Sequence, residues 1–516
     1  MADKDSQDKP DFASGIPSDD LPEGAMLEGT LGEDKVLLLR RDGQVRAIGA
    51  RCTHLGAPLA KGIVADGEVR CPWHHARFSL ETGEAVGAPA FDPLPCYRAE
   101  ERDGRITVTG RRKAAVRPAT RNPGKVVIIG GGAGGHACAE WLARAGHGTA
   151  VTLVSDDPDP PYDRTFCSKQ YLSGKAKRET TRLAPEGFYG GDGPRLLRDR
   201  VVSLDLDAQE IATAGGERLP YDALVIATGA APQRPDVPGF ERPNVHTLRS
   251  LADADALIAA TETARSVAVV GASFIGLEVA AAMVAREKVV TVVAPDAVPL
   301  ARVLGEAVGR FVQGLHEDKG VTFRLGREAT GFDGTALTLD DGSRIEADLV
   351  VLGTGVSPRT DLAEAAGLTL AQKDEGGGIA VDATLAASAS GIYAIGDVAS
   401  YPDPRSDRRL RVEHWVHAQR QGQHVARALL AGATLGEAAP FAETPFFWSG
   451  HYGTSLRYVG HAGSAEETQV EGDVSKGDFA VTYREDGRDA ALATCKRDTR
   501  SLEVEDAWDR EGRAAG

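Results

Sequence analysis

The chain has 516 residues, 42% of them hydrophobic, and a formal net charge of −16 at pH 7. This length predicts three or four domains with packed cores, and the negative charge argues against nucleic acid or an anionic membrane surface as a partner. No stretch approaches 18 consecutive apolar residues, the six cysteines are scattered, and the N-terminus lacks an apolar signal segment. These features predict a cytoplasmic enzyme without a membrane span.

In chain order, residues 1–17 are polar and acidic, and they predict a disordered tail. The first ligand-type residues follow in the pattern C-x-H, sixteen intervening residues, and C-x-x-H, at Cys52, His54, Cys71 and His74. Two thiolates and two imidazoles fit a [2Fe–2S] centre in which the cysteines hold one iron and the histidines hold the other. Four such residues also fit a zinc site, which is the alternative.

The segments around these residues, CTHLGAPL and CPWHHARF, resemble the two cluster-binding loops of Rieske proteins. Such loops usually carry glycine after the second histidine, where the backbone often has a positive φ, and this chain has His75. The spacing makes His74 the ligand, so we expect His75 to lie at the exposed edge of the cluster. The resemblance implies a mostly antiparallel β domain over residues 18–112 and a low potential, roughly −150 mV, because hydroxyl donors beside the cluster are missing.

After a basic linker at 113–124, residues 125–129 (KVVII) predict a buried parallel strand. The segment GGGAGG follows, then an alanine-rich helix to about residue 145 and a second strand over 149–154. A strand, a glycine-rich turn, a helix and a strand in this order are the start of a dinucleotide-binding fold.

The glycines Gly130, Gly132 and Gly135 fit G-x-G-x-x-G, which lets the backbone approach a pyrophosphate at a helix N-terminus. Asp156 and Asp157 lie about twenty residues further on, where a carboxylate accepts hydrogen bonds from ribose hydroxyls. The sequence therefore predicts a nucleotide site here.

The pattern repeats with a strand over 266–270, a turn, a helix to residue 285 and a strand over 289–293. In the turn, Gly271 and Gly276 keep the motif, while Ser273 replaces the middle glycine. Two such units in one chain predict two dinucleotides that meet face to face.

The segments GGGAGG, PPYDRTFCSK, YDALVIATG, VGASFIGLE, VVLGTGVSPR, IYAIGDVAS and EHWVHAQRQG occur in this order. They resemble the motifs of the FAD-dependent pyridine nucleotide reductases, in the branch of the apoptosis-inducing-factor-like proteins and oxygenase-coupled ferredoxin reductases. Together with the Rieske-like loops they are similar to the apoptosis-inducing factor 3-like proteins, from about residue 20 onward.

The resemblance implies FAD, NADH and a Rieske-type [2Fe–2S] cluster as cofactors. It places Lys169 beside the flavin and facing Glu278, and it makes Asp157 the preferred ribose acid over Asp156. It implies further cofactor contacts at Gly130, Gly132, Gly135, Arg164, Thr228, Gly229, Gly271, Ser273, Gly276, Gly355, Gly396, Asp397, Glu413, His414 and Trp415.

The second unit carries Ala294 where an acidic residue usually follows the second strand, with Asp296 two positions later. No arginine cluster stands there to receive a 2′-phosphate, so NADH is favoured over NADPH. The disulfide reductases of this superfamily need a C-x₄-C dithiol, and Cys167 is alone in that segment, which predicts a packed thiol. His414, His417 and His424 are interpreted as helix surface and flavin neighbours and not as a mononuclear iron site.

The predicted fold class is multidomain, with a β-rich Rieske domain, two α/β Rossmann-like domains (one inserted in the other) and a C-terminal α+β cap. The leading function is an oxidoreductase that passes electrons from NADH through FAD and the cluster to an external acceptor, such as an oxygenase, a cytochrome or a small quinone. The alternatives are a redox-signalling protein with low turnover and an NADH oxidase or diaphorase, and the family implies a homodimer. We expect an FAD domain over 125–247 and 373–437, an NADH domain over 248–372 and a cap over 441–516.

Overall fold

The computed structural model describes residues 9–113, 120–431, 439–463 and 465–515. They form two compact units, of which the first comprises Met1–Ala119 with Asp498–Ala507 and the second Thr120–Arg497 with Trp508–Gly516. Half of the predicted linker, residues 114–119, and the predicted boundary at residue 437 fall outside the described residues.

The first unit contains two antiparallel sheets. Its core is formed by aliphatic and aromatic side chains such as Leu37, Ile48 and Phe78, none more than 1% exposed. The six-stranded sheet has the order Ile16–Pro17, Arg105–Arg112, Cys96–Arg102, Gln44–Gly49, Asp34–Arg41 and Met26–Leu31. The four-stranded sheet has the order Ile63–Ala65, Glu68–Arg70, Arg77–Ser79 and Ala85–Gly87.

The predicted disordered tail is wrong for residues 9–17, and residues 1–8 lie outside the described part of the chain. The side chain of Phe12 is fully buried, and Ile16 begins an edge strand that pairs with Ile106. Two apolar side chains in a polar segment are enough to anchor it, because each gains about 2 kcal/mol from burial in the sheet's core. The polar composition of the segment concealed these two anchors.

Eight α-helices lie within the described residues. They are α1 (Ala133–Leu142), α2 (Thr165–Ser168), α3 (Leu251–Thr261), α4 (Phe274–Ala285), α5 (Ala301–Glu317), α6 (Asp361–Ala365), α7 (Trp415–Ala431) and α8 (Asp498–Ala515).

Two five-stranded parallel sheets organise the second unit. Central strands of both sheets, such as Val126–Ile129, Ala223–Ile226 and Leu349–Leu352, are continuous runs of Val, Ile, Leu and Ala, as expected for strands covered on both faces. The first sheet has the order Arg195–Arg198, Val151–Ser155, Val126–Ile129, Ala223–Ile226 and Ile392–Ala394. The second has the order Val245–Thr247, Leu349–Leu352, Ser266–Val270, Val289–Ala294 and Thr322–Leu325.

The last strand of the first parallel sheet, Ile392–Ala394, comes after the whole of the second sheet in sequence. One nucleotide-type domain is therefore inserted in the other. Shorter sheets flank them: Val201–Asp205, Glu210–Thr213 and Arg218–Pro220; Ala329–Phe332, Ala336–Leu339 and Arg344–Glu346; Ala230–Pro232 and Val356–Pro358; Ile379–Ala380, Ala399–Pro402 and Arg409–Leu410.

An antiparallel sheet near the C-terminus packs against the second parallel sheet and its helices, where Leu456, Tyr458 and Phe479 share one core with Leu277 and Val308. With this sheet the predicted fold class is confirmed. Its strand order is Phe446–His451, Thr454–Gly460, Arg488–Cys495, Asp478–Glu485 and Glu467–Asp473.

The prediction of a single cap over 441–516 is wrong for α8. The first ten residues of this helix, Asp498–Ala507, belong to the first unit, and the remainder belongs to the second. The cause is tertiary: the helix is amphipathic, and its buried side chains in the first part, such as Leu502 and Glu505, have their partners far away in sequence. Local pattern carries no information about such partners.

Candidate functional site

The two cysteine- and histidine-bearing loops of the first unit have the same backbone design. The amide of Cys52 donates to the carbonyl of Ala57 at 2.9 Å, and the amide of Cys71 donates to the carbonyl of Ala76 at 2.8 Å. In each loop, the amide of the residue four positions after the cysteine donates a second hydrogen bond to the cysteine's carbonyl. The two loops are thus equivalent in form, and each presents its own cysteine.

The four predicted ligands converge in pairs. The thiols of Cys52 and Cys71 are buried neighbours, and their mutual hydrogen bond and burial raise the pKa of the Cys52 thiol. The Nδ1 atoms of His54 and His74 lie 3.2 Å apart, close enough for one metal ion to bind both. One sulfur pair and one nitrogen pair are the donor set of a Rieske [2Fe–2S] centre, so the residues fit this group.

His75 does not lie at an exposed edge, and that prediction is wrong. Its side chain is fully buried, with Nδ1 2.7 Å from Oε2 of Glu505 and Nε2 3.3 Å from Oγ of Ser501. The expected positive φ is present, at 60°. The equivalent position of the first loop is Gly56, with φ 77°, so both loops need a left-handed residue there.

The second unit contains a cavity of about 920 Å³ at the carboxyl ends of its parallel strands, where ligands bind in doubly wound folds. Most of the predicted cofactor residues line it. These are Gly130, Gly132, Asp156, Arg164, Lys169, Thr228, Gly229, Ser273, Glu278, Gly355, Gly396, Asp397, Glu413, His414 and Trp415. Gly135, Asp157, Gly271 and Gly276 do not line the cavity.

The glycines of the first motif have different roles. A Cβ at Gly135 would lie 2.0 Å from the carbonyl oxygen of Gly130, so this glycine lets helix α1 approach the strand. A Cβ at Gly132 would meet only the Nε of Arg164 at 4.0 Å and would project into open space beside the cavity. That open cradle at the start of a helix fits a pyrophosphate.

The second motif is built in the same way, and Ser273 has a defined place in it. Its Oγ donates to the carbonyl of Gly353 at 2.9 Å and accepts from the amide of Gly276 at 3.2 Å, which makes it the N-cap of α4. A Cβ at Gly276 would lie 2.2 Å from the carbonyl oxygen of Gly271. The serine therefore keeps the turn by capping the helix, a role for which serine is well suited.

The structure places the two candidate ribose acids differently. Asp157 accepts from the hydroxyl of Tyr162 at 2.8 Å and from Arg164 at 3.1 Å, which commits its carboxylate to protein partners. Asp156 is exposed and lines the cavity. The geometry thus favours Asp156 and not Asp157 as the residue that faces a ligand.

Lys169 and Glu278 meet at the cavity wall. The Nζ of Lys169 lies 2.8 Å from Oε2 of Glu278, and the carboxylate also accepts from Ser168 at 2.6 Å and from Ser449 at 2.7 Å. Glu278 is only 3% exposed, so its charge is balanced by a cation and two hydroxyl groups. The expected pairing of Lys169 with Glu278 is thus present, and its place beside a flavin stays a prediction.

Asp397 forms an ion pair with Arg249, a partner that the sequence did not indicate. Its Oδ2 lies 2.5 Å from an Nη of Arg249, and Arg249 in turn accepts a hydrogen bond at its carbonyl from Arg164. The pairing joins residues 148 positions apart, and no local motif around Arg249 marked it. Arg249 also lines the cavity, so it joins the candidate binding residues.

Residues before and within α7 form the wall nearest the C-terminal sheet. The ring of His414 lies 4.4 Å from that of Phe447, and Phe447 and Trp448 line the cavity while Phe446 is fully buried. Phe447 and Trp448 thus face the cavity, whereas Phe446 belongs to the core of the sheet.

The interpretation of the helix histidines as surface residues is wrong for His417. Its side chain is fully buried, and its Nε2 is hydrogen-bonded to the hydroxyl of Tyr401 at 2.8 Å. Cys167 is 2% exposed, and burial raises the pKa of its thiol to about 12, as expected for a packed thiol. Among the described residues, no group of three or more His, Cys, Asp or Glu side chains could hold a single metal ion, and no helix is long and apolar enough to cross a membrane.

Three family models match the chain. They are the Rieske [2Fe-2S] domain over residues 14–98, the pyridine nucleotide-disulphide oxidoreductase over 124–422 and the reductase C-terminal domain over 446–507.

Proteins of known name are similar to this chain over two thirds of its length or more. Apoptosis-inducing factor 3 of Homo sapiens is 31% identical over 93% of this chain and 81% of its own length. Rhodocoxin reductase of Rhodococcus erythropolis is 36% identical over 69% of this chain and 82% of its own length. The crystal structure of a covalent putidaredoxin reductase–putidaredoxin complex matches 76% of this chain and 94% of the solved chain, with a TM-score of 0.70 and 31% identity. The chain therefore belongs to the pyridine nucleotide-disulphide oxidoreductase family, as an FAD-dependent NAD(P)H oxidoreductase of the ferredoxin reductase type with its own Rieske [2Fe–2S] domain.

Proposed function

We propose that this protein is a ferredoxin reductase and its ferredoxin in one chain, which takes electrons from NADH and delivers them to an external acceptor. The observation that carries the proposal is the presence on one polypeptide of a dinucleotide cavity with the Lys169–Glu278 pair and of two loops that pair their cysteines and histidines. Fusion raises the effective concentration of one centre for the other. When bound, FAD supplies the exchange between a two-electron hydride and single electrons.

In this proposal Cys52 and Cys71 bind one iron of the cluster, and His54 and His74 bind the other. The cysteines are buried, whereas both histidines are half-buried and lie beside the exposed side chains of Leu55 and Trp73. The histidine side is therefore the face at which an acceptor comes closest to the cluster. Its apolar rim suits a protein partner, in which such side chains become buried on docking.

For FAD, we propose that Gly130 and Gly132 accept the pyrophosphate, that Asp156 binds the ribose, and that Asp397, held by Arg249, binds the ribityl chain. Thr228, Gly229, Gly396, Glu413, His414 and Trp415 complete the contacts. Lys169 and Glu278 then bring a balanced charge pair to the flavin edge, which adjusts the electronics of the ring without adding net charge.

For the nicotinamide dinucleotide, we propose binding at the start of α4, with Gly355 in the loop that follows the strand Leu349–Leu352 and NADH preferred over NADPH. The first arginine after the second strand in sequence, Arg302, is bound to Asp296 at 2.8 Å. A 2′-phosphate would have to displace this carboxylate to gain a cation, and Ala294 offers no donor.

Rhodocoxin reductase and the anthranilate 1,2-dioxygenase system ferredoxin–NAD(+) reductase component are similar to this chain and are named for electron transfer to a ferredoxin or an oxygenase system. We propose an acceptor of the same class, an oxygenase or a cytochrome, downstream of the fused Rieske domain. We also propose a homodimer, on family resemblance, and a cytoplasmic location, because the six cysteines are scattered along the sequence and do not form the spaced framework of a disulfide-rich secreted protein.

Anaerobic stopped-flow mixing of the loaded full-length protein with NADH tests the proposal. Bleaching of the flavin band should be followed by loss of the cluster's visible absorption. In Cys71→Ser, which removes one cluster ligand, the flavin should bleach at the same rate without the second phase. A cluster that stays oxidised in the unmodified protein after the flavin has been reduced would refute the internal transfer.

A further inference from the structure

A line of hydrogen bonds leaves the Lys169–Glu278 pair in the direction away from the cavity. Glu278 lies on α4, His316 on α5, and Ser449, His451 and Tyr452 on or just after the first strand of the C-terminal sheet. We call these five residues the histidine relay: Glu278, Ser449, His451, His316 and Tyr452.

Every step of the histidine relay is within hydrogen-bond distance. Ser449 Oγ lies 2.7 Å from Oε1 of Glu278 and 3.1 Å from Nε2 of His451. The Nδ1 of His451 lies 3.2 Å from Nε2 of His316, whose Nδ1 lies 3.1 Å from the hydroxyl of Tyr452. Both ring nitrogens of both histidines are therefore used in the same line, which two merely packed histidines would not require.

The donors of the histidine relay are arranged in one direction. The carboxylate of Glu278 can only accept hydrogen bonds, so the hydroxyl of Ser449 donates its one hydrogen to Glu278. Ser449 must therefore accept a hydrogen bond from Nε2–H of His451. The bare Nδ1 of His451 then accepts from Nε2–H of His316, and the bare Nδ1 of His316 accepts from the hydroxyl of Tyr452. Each hydrogen bond points toward Glu278, which is the arrangement along which protons hop.

The histidines are held in the form that such hopping needs. Burial, with the nearby charge of Lys169, lowers the pKa of His451 to about 3, and burial lowers the pKa of His316 to about 3. Both rings are therefore neutral at neutral pH, with one N–H and one bare nitrogen each. Burial also raises the pKa of Tyr452, which keeps its hydroxyl as a donor.

The two ends of the histidine relay have different surroundings. Glu278 lines the cavity, whereas Tyr452 is partly exposed in a tight turn with Gly453. The three residues between them, Ser449, His451 and His316, are fully buried. The line thus connects the cavity wall to the protein surface without passing through the cavity itself.

We propose that the histidine relay is a proton path between solvent and the Lys169–Glu278 pair. The inference rests on the proposed function, because the oxidation of NADH by two one-electron acceptors releases one proton. A nucleotide that fills the cavity would block direct exchange of that proton with water, and the histidine relay stays open behind Glu278.

The transfer conserves protons at every step. Inward, Tyr452 takes a proton from water and gives its own to Nδ1 of His316, and Nε2 of His316 gives its proton to Nδ1 of His451. Nε2 of His451 gives its proton to Ser449, whose own proton passes to Glu278. The reverse series returns one proton from Glu278 to water, and no electrons move.

The substitution Glu278→Gln tests the connection without turnover. Lys169 and Ser168 both donate to Oε2, so the amide oxygen should take that place, which leaves the amide NH₂ at the Oε1 position, facing Ser449. Ser449 must then accept and donate onward to His451. All later hydrogen bonds reverse, and both histidines change from the Nε2–H to the Nδ1–H tautomer.

Nitrogen-15 NMR of the full chain with labelled histidine reads these tautomers directly. We expect both His451 and His316 to switch in Glu278→Gln, while His136, which is buried against Tyr189 and outside the histidine relay, keeps its tautomer. Unchanged tautomers at His316 would overturn the proton path and would leave the proposed reductase function untouched.

A second measurement covers the case in which Glu278→Gln does not fold. In His316→Phe, proton release followed with a pH-indicator dye should become about tenfold slower or more, while the flavin is reduced by NADH at an unchanged rate. If His316→Phe released protons at the same rate as the unmodified protein, the proposed proton path would be contradicted. Failure of NADH to reduce the flavin in the unmodified protein would instead contradict the proposed function.

Discussion

The Nδ1 atom of His75 lies 2.7 Å from Oε2 of Glu505, although 430 positions separate the two residues in sequence. The contact holds a non-glycine residue at a φ of 60°, a conformation that costs about 1–3 kcal/mol. Both side chains are fully buried, and Arg70 brings its guanidinium to within 3.8 Å of the same carboxylate. A residue near the C-terminus of the chain thereby fixes the second cluster loop.

Glu505→Gln should raise the midpoint potential of the cluster by on the order of tens of millivolts, because it removes a buried negative charge near the centre. It should also shift the EPR signal of the reduced cluster, since the loop residue next to His74 loses a charged partner. A redox titration monitored by EPR measures both effects. Glu503→Gln is the matched control, because Glu503 is on the same helix and exposed; equal shifts in the two variants would refute a specific role for Glu505.

Arg70→Met should destabilise the first unit by about 3–5 kcal/mol, because it leaves buried carboxylates uncompensated. Arg70 is 1% exposed and lies 2.7 Å from Asp506. The control is Arg111→Met, which removes an exposed pair with Asp34 and should cost less than about 1 kcal/mol. Denaturant unfolding followed by the cluster's visible absorption compares them, and similar midpoints would contradict the prediction.

Gly132→Ala should weaken FAD binding by about tenfold or more and leave the folded apoprotein intact, because its methyl group enters open space where the pyrophosphate would lie. Gly135→Ala should instead destabilise the fold, since its Cβ would lie 2.0 Å from the carbonyl oxygen of Gly130. Melting temperatures of the apoproteins, followed by titration with FAD, separate the two cases. An apoprotein of Gly132→Ala that melts as early as Gly135→Ala would contradict this division.

Stability should fall as the pH is lowered from about 6.5 toward 3. The four histidines His136, His316, His417 and His451 have their pKa lowered to about 3, and burial is the main cause in each. In the unfolded chain they titrate near 6.5, so unfolding takes up protons below that pH, and each adds a slope of about 1.4 kcal/mol per pH unit.

Unfolding free energies between pH 7 and pH 4 measure this slope. In His136→Gln the slope near pH 5 should decrease by the contribution of one proton. A slope that does not change in this variant would show that His136 is protonated in the folded state.

The sequence predicted the parts of this protein that short-range patterns determine. The Val126–Ile129 strand, the glycine turn and the helix after it follow from periodicity and turn geometry. The four predicted cluster ligands, which the structure brings together in pairs, follow from spacing and flanking residues. Backbone geometry or the chemistry of iron determines the residue types in these segments, so the segments can be recognised without a structure.

Partners far apart in sequence could not be predicted. Three contacts join elements that are far apart in sequence. They are the pairing of Arg249 with Asp397, the burial of His75 by Glu505, and the hydrogen-bonded line from Ser449 to His316. The sequence around a buried histidine does not differ from that around an exposed one. For this reason the prediction of an exposed position is wrong for His75 and His417. The anchoring of Phe12 was missed for the related reason that composition averages over single apolar residues.

Anaerobic titration of the loaded protein with NADH, with optical and low-temperature EPR spectra at each addition, tests the central claim most directly. Because the flavin accepts two electrons and the cluster one, full reduction should need about 1.5 NADH per chain and should give a rhombic reduced-Rieske signal as the flavin bleaches. An end point at about one NADH per chain, with the cluster silent, would contradict electron transfer from NADH through FAD to the cluster.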